Sequence, residues 1–139
     1  MKLERLFEVK KQKLYTMSGD LVSTEGKNFP VKWSDVEGNP EEYNEDFLAK
    51  LRDELKSLEE KKEFVFIEPI FDKAAGAEQF TAAMKHCARR IKDCVSVIGF
   101  AIPNEIFENR AFYTEELSTK HQHYCFFCKK SPDNSIVQY

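Results

Sequence analysis

Three short apolar runs set the terms for how this chain can fold. They are Phe64-Val65-Phe66-Ile67-Glu68-Pro69-Ile70-Phe71, Val95-Ser96-Val97-Ile98-Gly99-Phe100-Ala101-Ile102 and Tyr124-Cys125-Phe126-Phe127-Cys128. The first two are apolar on both faces, as strands buried inside a parallel sheet are. Helical patterns lie between them. Tyr43, Phe47, Leu48, Leu51, Leu55 and Leu58 recur at helical spacing across 41–62, with acids at the start and Lys61-Lys62 at the end. Phe80, Ala83, Met84, Cys87, Ala88 and Ile91 form one stripe across 77–92, and a third helix is expected over 104–118. Strands alternating with helices call for right-handed parallel crossovers.

The first 40 residues have another character. Short strand-like pieces (Phe7 and Val9, Leu14-Tyr15, then Phe29, Val31 and Trp33) are separated by Ser18-Gly19-Asp20 and Glu25-Gly26-Lys27-Asn28. The expected fold is therefore α/β: an N-terminal β meander followed by alternating helices and parallel strands, in a small open sheet or a partial (half) β/α barrel. We read one domain over 1–139, with the meander over 1–40, the α/β unit over 41–130 and a polar tail over 131–139.

The 139 residues rule out a complete eight-fold barrel, which needs roughly 200. Lys and Arg number 21 against 24 Asp and Glu, for a net charge of −3, so binding to nucleic acid through phosphates is not expected. The basic runs Lys10-Lys11-Gln12-Lys13, Arg89-Arg90-Ile91-Lys92 and Lys129-Lys130 read as solvated surface. No apolar run approaches the roughly 18 residues of a membrane span, so no membrane partner is expected. The N-terminus has no secretory h-region, and the four cysteines read as free thiols of a cytoplasmic chain, unless the chain is a processed fragment of a secreted protein. Gly76 and Gly99 stand alone, so there is no phosphate-cradling loop and no cofactor is expected.

Residues 78–106, EQFTAAMKHCARRIKDCVSVIGFAIPNEI, resemble the third-helix and fourth-strand unit of glycoside hydrolase family 5, the cellulase-like (β/α)8 enzymes. The matching pieces are Arg89-Arg90-Ile91-Lys92-Asp93, Val97-Ile98-Gly99-Phe100 and Asn104-Glu105, with Phe64 to Asp72 in the place of the third strand. Ile106 stands where the family has Pro, and the region of the family's third-strand His holds Glu68-Pro69 and Phe71-Asp72. No strand remains for the family's late nucleophile. The resemblance implies a partial, carbohydrate-binding or degenerate hydrolase domain. Glu105 is then the candidate general acid/base, Glu68 or Asp72 its candidate partner, with Glu115 and Glu116 as later substitutes, and Asn104 a binding residue. Retaining hydrolysis needs two carboxyl groups about 5 Å apart. Asn104 and Glu105 read equally as an N-cap and a first-turn acid.

Trp33, with Tyr15 and Tyr43, is a candidate sugar platform, and core or edge packing is the competing reading of these aromatics. His121, His123 and Cys125 would share one strand face and approach a metal ion, with Cys128 on the opposite face. Core packing plus solvated histidines is the competing reading of that stretch. Two other functions stand beside the hydrolase-like one. The first is a non-enzymatic interaction or assembly module, with a homodimer or a second chain completing the sheet. The second is a small metal-binding module.

Overall fold

A computed structural model describes residues 3–39, 42–131 and 134–139. An antiparallel meander opens the chain: β1 (Phe7–Lys10), β2 (Lys13–Thr16) and β3 (Leu21–Val22). Next come β4 (Asn28–Lys32), the short helix α1 (Trp33–Val36) and a small hairpin of β5 (Glu37–Asn39) and β6 (Glu42–Tyr43). Helix α2 (Glu45–Glu60), β7 (Val65–Ile70), α3 (Ala77–Arg90) and β8 (Val97–Ala101) follow. A 3-10 segment (Asn104–Asn109), α4 (Arg110–Ser118), β9 (Cys125–Cys128) and β10 (Val137–Gln138) complete the chain.

Five strands form one parallel sheet in the order β4-β7-β8-β9-β10, which is also their order in sequence. Right-handed crossovers taken in one direction put their helices on one face. That face buries Leu48, Leu51 and Leu55 of α2, Phe80, Met84 and Cys87 of α3, and Tyr113 and Leu117 of α4 against Ile67, Val97 and Phe100. The meander covers the other face. There Leu14, with Phe7, Val9 and Val22 beside it, packs on Phe66, Ile98, Phe127 and Val137. The sheet is open, with β4 and β10 at its edges.

Local chemistry explains several of these boundaries. Helix α2 starts at Glu45 because the Asn44 side chain accepts a hydrogen bond from the Phe47 amide at 3.0 Å. Strand β8 carries one extra residue against β7, since Val65 faces Val97 whereas Ile67 faces Phe100. The bulge shifts the pleat, so Ile98 and Ala101 face the meander while Phe100 faces the helices. Gly99 sits at this bulge, where an added Cβ would stand 1.7 Å from the Cys125 carbonyl oxygen.

Several segments differ from the sequence reading. Trp33 opens α1 rather than ending a strand, and Tyr43 lies in β6, so the helix expected over 41–62 begins at Glu45. Residues 28–32 are not the last meander strand but the first strand of the parallel sheet, pairing with β7. Their β-like composition fits either sheet, and only the partner decides. The polar tail ends in strand β10, with Ile136 and Val137 buried. A two-residue strand carries too little periodicity to be seen in a sequence.

Candidate functional site

The residues that the resemblance nominates lie mostly beyond the carboxyl ends of the strands, but in separate roles. Glu68 is inside β7, on the meander side. It accepts hydrogen bonds from the Tyr139 hydroxyl at 2.6 Å and from Asn28 Nδ2 at 3.2 Å, and Lys129 Nζ is 3.8 Å away. Asp72 holds a turn: its Oδ1 accepts from the Ala74 amide at 2.9 Å. Asn104 and Glu105 are exposed at the start of the 3-10 segment. The N-cap there is Pro103, so Asn104 does not perform the capping that its position suggested. Among the described residues, no hydrogen bond or ion pair links Glu105 to Glu68 or Asp72.

Trp33 is not a sugar platform. It is 7% exposed, and its Nε1 donates to Glu37 Oε1 at 3.1 Å, an oxygen that also accepts from Gln79 Nε2 at 2.9 Å. An apolar indole with one polar edge is buried where a carboxylate can meet that edge.

The metal reading does not hold either. Strand β9 begins at Cys125, so His121 and His123 fall in the preceding turn and share no strand face with it. Cys125 packs on the meander side, where burial pushes its thiol up to about 11. Cys128 faces the helices, opposite Cys125, as strand alternation requires. Among the described residues, no group of three His, Cys, Asp or Glu side chains is placed to hold an ion.

A different cluster assembles at the other end of the sheet. Lys85, Arg89 and Lys92 follow i, i+4, i+7 spacing along and just past α3 and so point the same way. Lys120, His121, Gln122 and His123 come from the turn between α4 and β9. With Leu3 they line a cleft of about 440 Å³. Among the described residues this lining carries no carboxylate. Lys85 has a partner in Glu116 at 3.6 Å, whereas no salt bridge to Arg89, Lys92 or Lys120 occurs among the described residues. The neighbouring Arg90 turns away to Glu45 at 2.9 Å.

The two histidines report the field of this cleft. Burial, and then the charges of His123, Lys92 and Arg89, pull the pKa of His121 down from 6.5 to about 4. That of His123 is lowered by burial and by Arg5. Both rings pack on Tyr124, with centroids at 5.0 and 4.6 Å. The chain start is pinned here by Arg5, whose guanidinium donates to the Gln122 carbonyl at 2.6 Å.

Reading basic runs along the sequence missed this cluster, because Arg89 and Arg90 are adjacent in sequence yet serve different neighbours. The usable signal was the Lys85, Arg89, Lys92 stripe beside the apolar stripe of α3. Lys120 lies 28 residues beyond Lys92 and joins only through the packing of α3 against α4. Comparison with family models, curated proteins and solved structures finds no match to this chain.

Proposed function

We propose that this chain is a non-enzymatic binding module for an anionic ligand, with the cleft of Lys85, Arg89, Lys92 and Lys120 as its site. The observation that supports it is convergence of Arg89, Lys92 and Lys120, to which no salt bridge occurs among the described residues, in a chain whose net charge is −3. Cations gathered in one cleft repel one another, and an anion relieves that repulsion. Arg89 adds a planar fork suited to carboxylate or phosphate oxygens. Charges in the last turn of α3 also answer the negative end of the helix dipole. That role covers Arg89 and Arg90, but not Lys120 arriving from the turn after α4.

The hydrolase-like reading has less support. Glu68 is engaged by Tyr139 and Asn28, Asp72 holds a turn and Glu116 pairs with Lys85, and no hydrogen bond or ion pair joins Glu105 to Glu68 or Asp72 among the described residues. Two-carboxylate chemistry needs a second member.

The test is thermal unfolding with pyrophosphate as the probe, on the wild type and on Arg89→Gln/Lys92→Gln. The module reading predicts that pyrophosphate raises the midpoint of the wild type, since a ligand that binds only the folded state stabilises it. The double variant should lose most of that rise. An equal rise in both proteins, or no rise in either, contradicts the proposal.

A further inference from the structure

The basic cleft has an apolar neighbour. A second cleft, of about 340 Å³, is lined mostly by apolar side chains, among them Leu6, Phe7, Val95 and Ile98, together with Glu4 and His123. Leu3 and His123 line both clefts, so the two adjoin. Two of its walls, Leu6 and Val95, are 40% and 36% exposed despite their apolar side chains. His123 stands between the charged and the apolar compartment with its Nε2 buried and without a hydrogen-bond partner.

We infer that the ligand is a small amphipathic anion, with its carboxylate or phosphate head among Arg89, Lys92 and Lys120 and an unbranched apolar body along Leu6, Val95 and Ile98. The inference rests on the anion-binding reading above and adds the ligand's class to it. Charge complementarity selects the head. The adjoining exposed apolar side chains select the body, since covering them with methylene groups removes apolar surface from water. A sugar phosphate or a free inorganic anion would leave that second cleft wetted and unused. Glu4 in the lining disfavours a second negative group on the tail, so the ligand should carry its charge at one end.

Calorimetric titration of the full chain separates the possibilities, using acetate, octanoate, octyl phosphate, octanol, inorganic phosphate and anionic phospholipid vesicles as probes. The inference predicts that octanoate or octyl phosphate binds at least about tenfold tighter than its short counterpart, acetate or phosphate. Whichever head binds better identifies it. Octanol should bind more weakly than either charged chain. Val95→Ser removes apolar surface from the cleft without adding charge and should reduce the chain-length gain. Arg89→Gln should weaken every anion. Equal affinity for acetate and octanoate, and for phosphate and octyl phosphate, overturns the inference but leaves the anion site standing. No binding of any anion overturns both. Binding to vesicles without binding to the monomeric chains overturns the inference in favour of a membrane surface.

Discussion

The two faces of the parallel sheet are built in different ways. On one, helices and strands alternate along the chain, and the core gathers Leu55 of α2 and Phe80 and Met84 of α3 with Ile67 of β7 and Phe100 of β8. The other face is closed by the two ends of the chain. Leu14 comes from the N-terminal meander, Val137 and Tyr139 from the C-terminus, and they meet on Phe66 and Phe127. The Phe66 and Phe127 rings stack at 4.0 Å, and the Tyr139 ring stands edge-on to Phe66 at 4.9 Å. Strand β10 is also tied to the β1–β2 turn, where the Gln138 amide donates to the Gln12 carbonyl at 2.9 Å. Gln12 and Lys11 both have positive φ, at 67° and 50°, an arrangement common in two-residue hairpins but uncommon for these side chains. One face thus depends on local units, and the other on long-range closure.

Legibility divided along the same line. The helix stripes of α2 and α3 and the three apolar runs stood out because local periodicity and burial agree there. All six residues of the stripe from Phe80 to Ile91 are buried. The meander was also readable from its turns. What the sequence concealed depends on partners chosen from far away: β4 joining β7, β10 joining β9, and Lys120 joining Arg89. Trp33 shows the same limit, since its indole N–H meets Glu37 Oε1, an oxygen that Gln79 of α3 also reaches. Among the described residues no helix is long and apolar enough to cross a membrane, which agrees with the absence of long apolar runs. The edges of the sheet carry devices against further pairing: Pro30 lies within β4, and β10 has two residues.

The largest expected effect comes from the position that serves both faces. Gly99→Ala sets a Cβ against the backbone of Cys125 and forces β8 and β9 apart. A loss above about 4 kcal/mol, or failure to fold, is expected by chemical denaturation. A small loss would mean that the bulge does not set the approach of these strands.

A matched pair then compares the faces directly. Leu55 and Leu14 are both essentially inaccessible, at 0% and 1% exposure. Truncation to Ala should cost each about 2–5 kcal/mol. Hydrogen exchange should differ: Leu14→Ala accelerates exchange selectively in β1–β3, whereas Leu55→Ala accelerates it across the parallel sheet. Uniform acceleration in both variants would erase the distinction between the faces.

A smaller change probes the C-terminal closure. Tyr139→Phe removes the hydroxyl that donates to Glu68 and should cost about 1 kcal/mol, since Asn28 and Lys129 remain beside that carboxylate. No loss in denaturant midpoint would show that the ring, not the hydroxyl, closes this face.

Acid should act through His121. Its pKa falls from 6.5 to about 4 on folding, chiefly through burial. Between those values the unfolded chain binds more protons than the folded one, so stability declines as pH is lowered from 6.5 towards 4. Above 6.5 this residue leaves stability unchanged. Melting curves of the wild type and His121→Gln should diverge only below that point.

The same imidazole tests the account at its centre. NMR titration of His121 with pH, in the absence and presence of pyrophosphate, reads the charge of the cleft from inside it. A bound anion offsets Lys92 and Arg89, so the His121 midpoint should move upward from about 4. A His121 midpoint that stays in place would contradict a specific anion site.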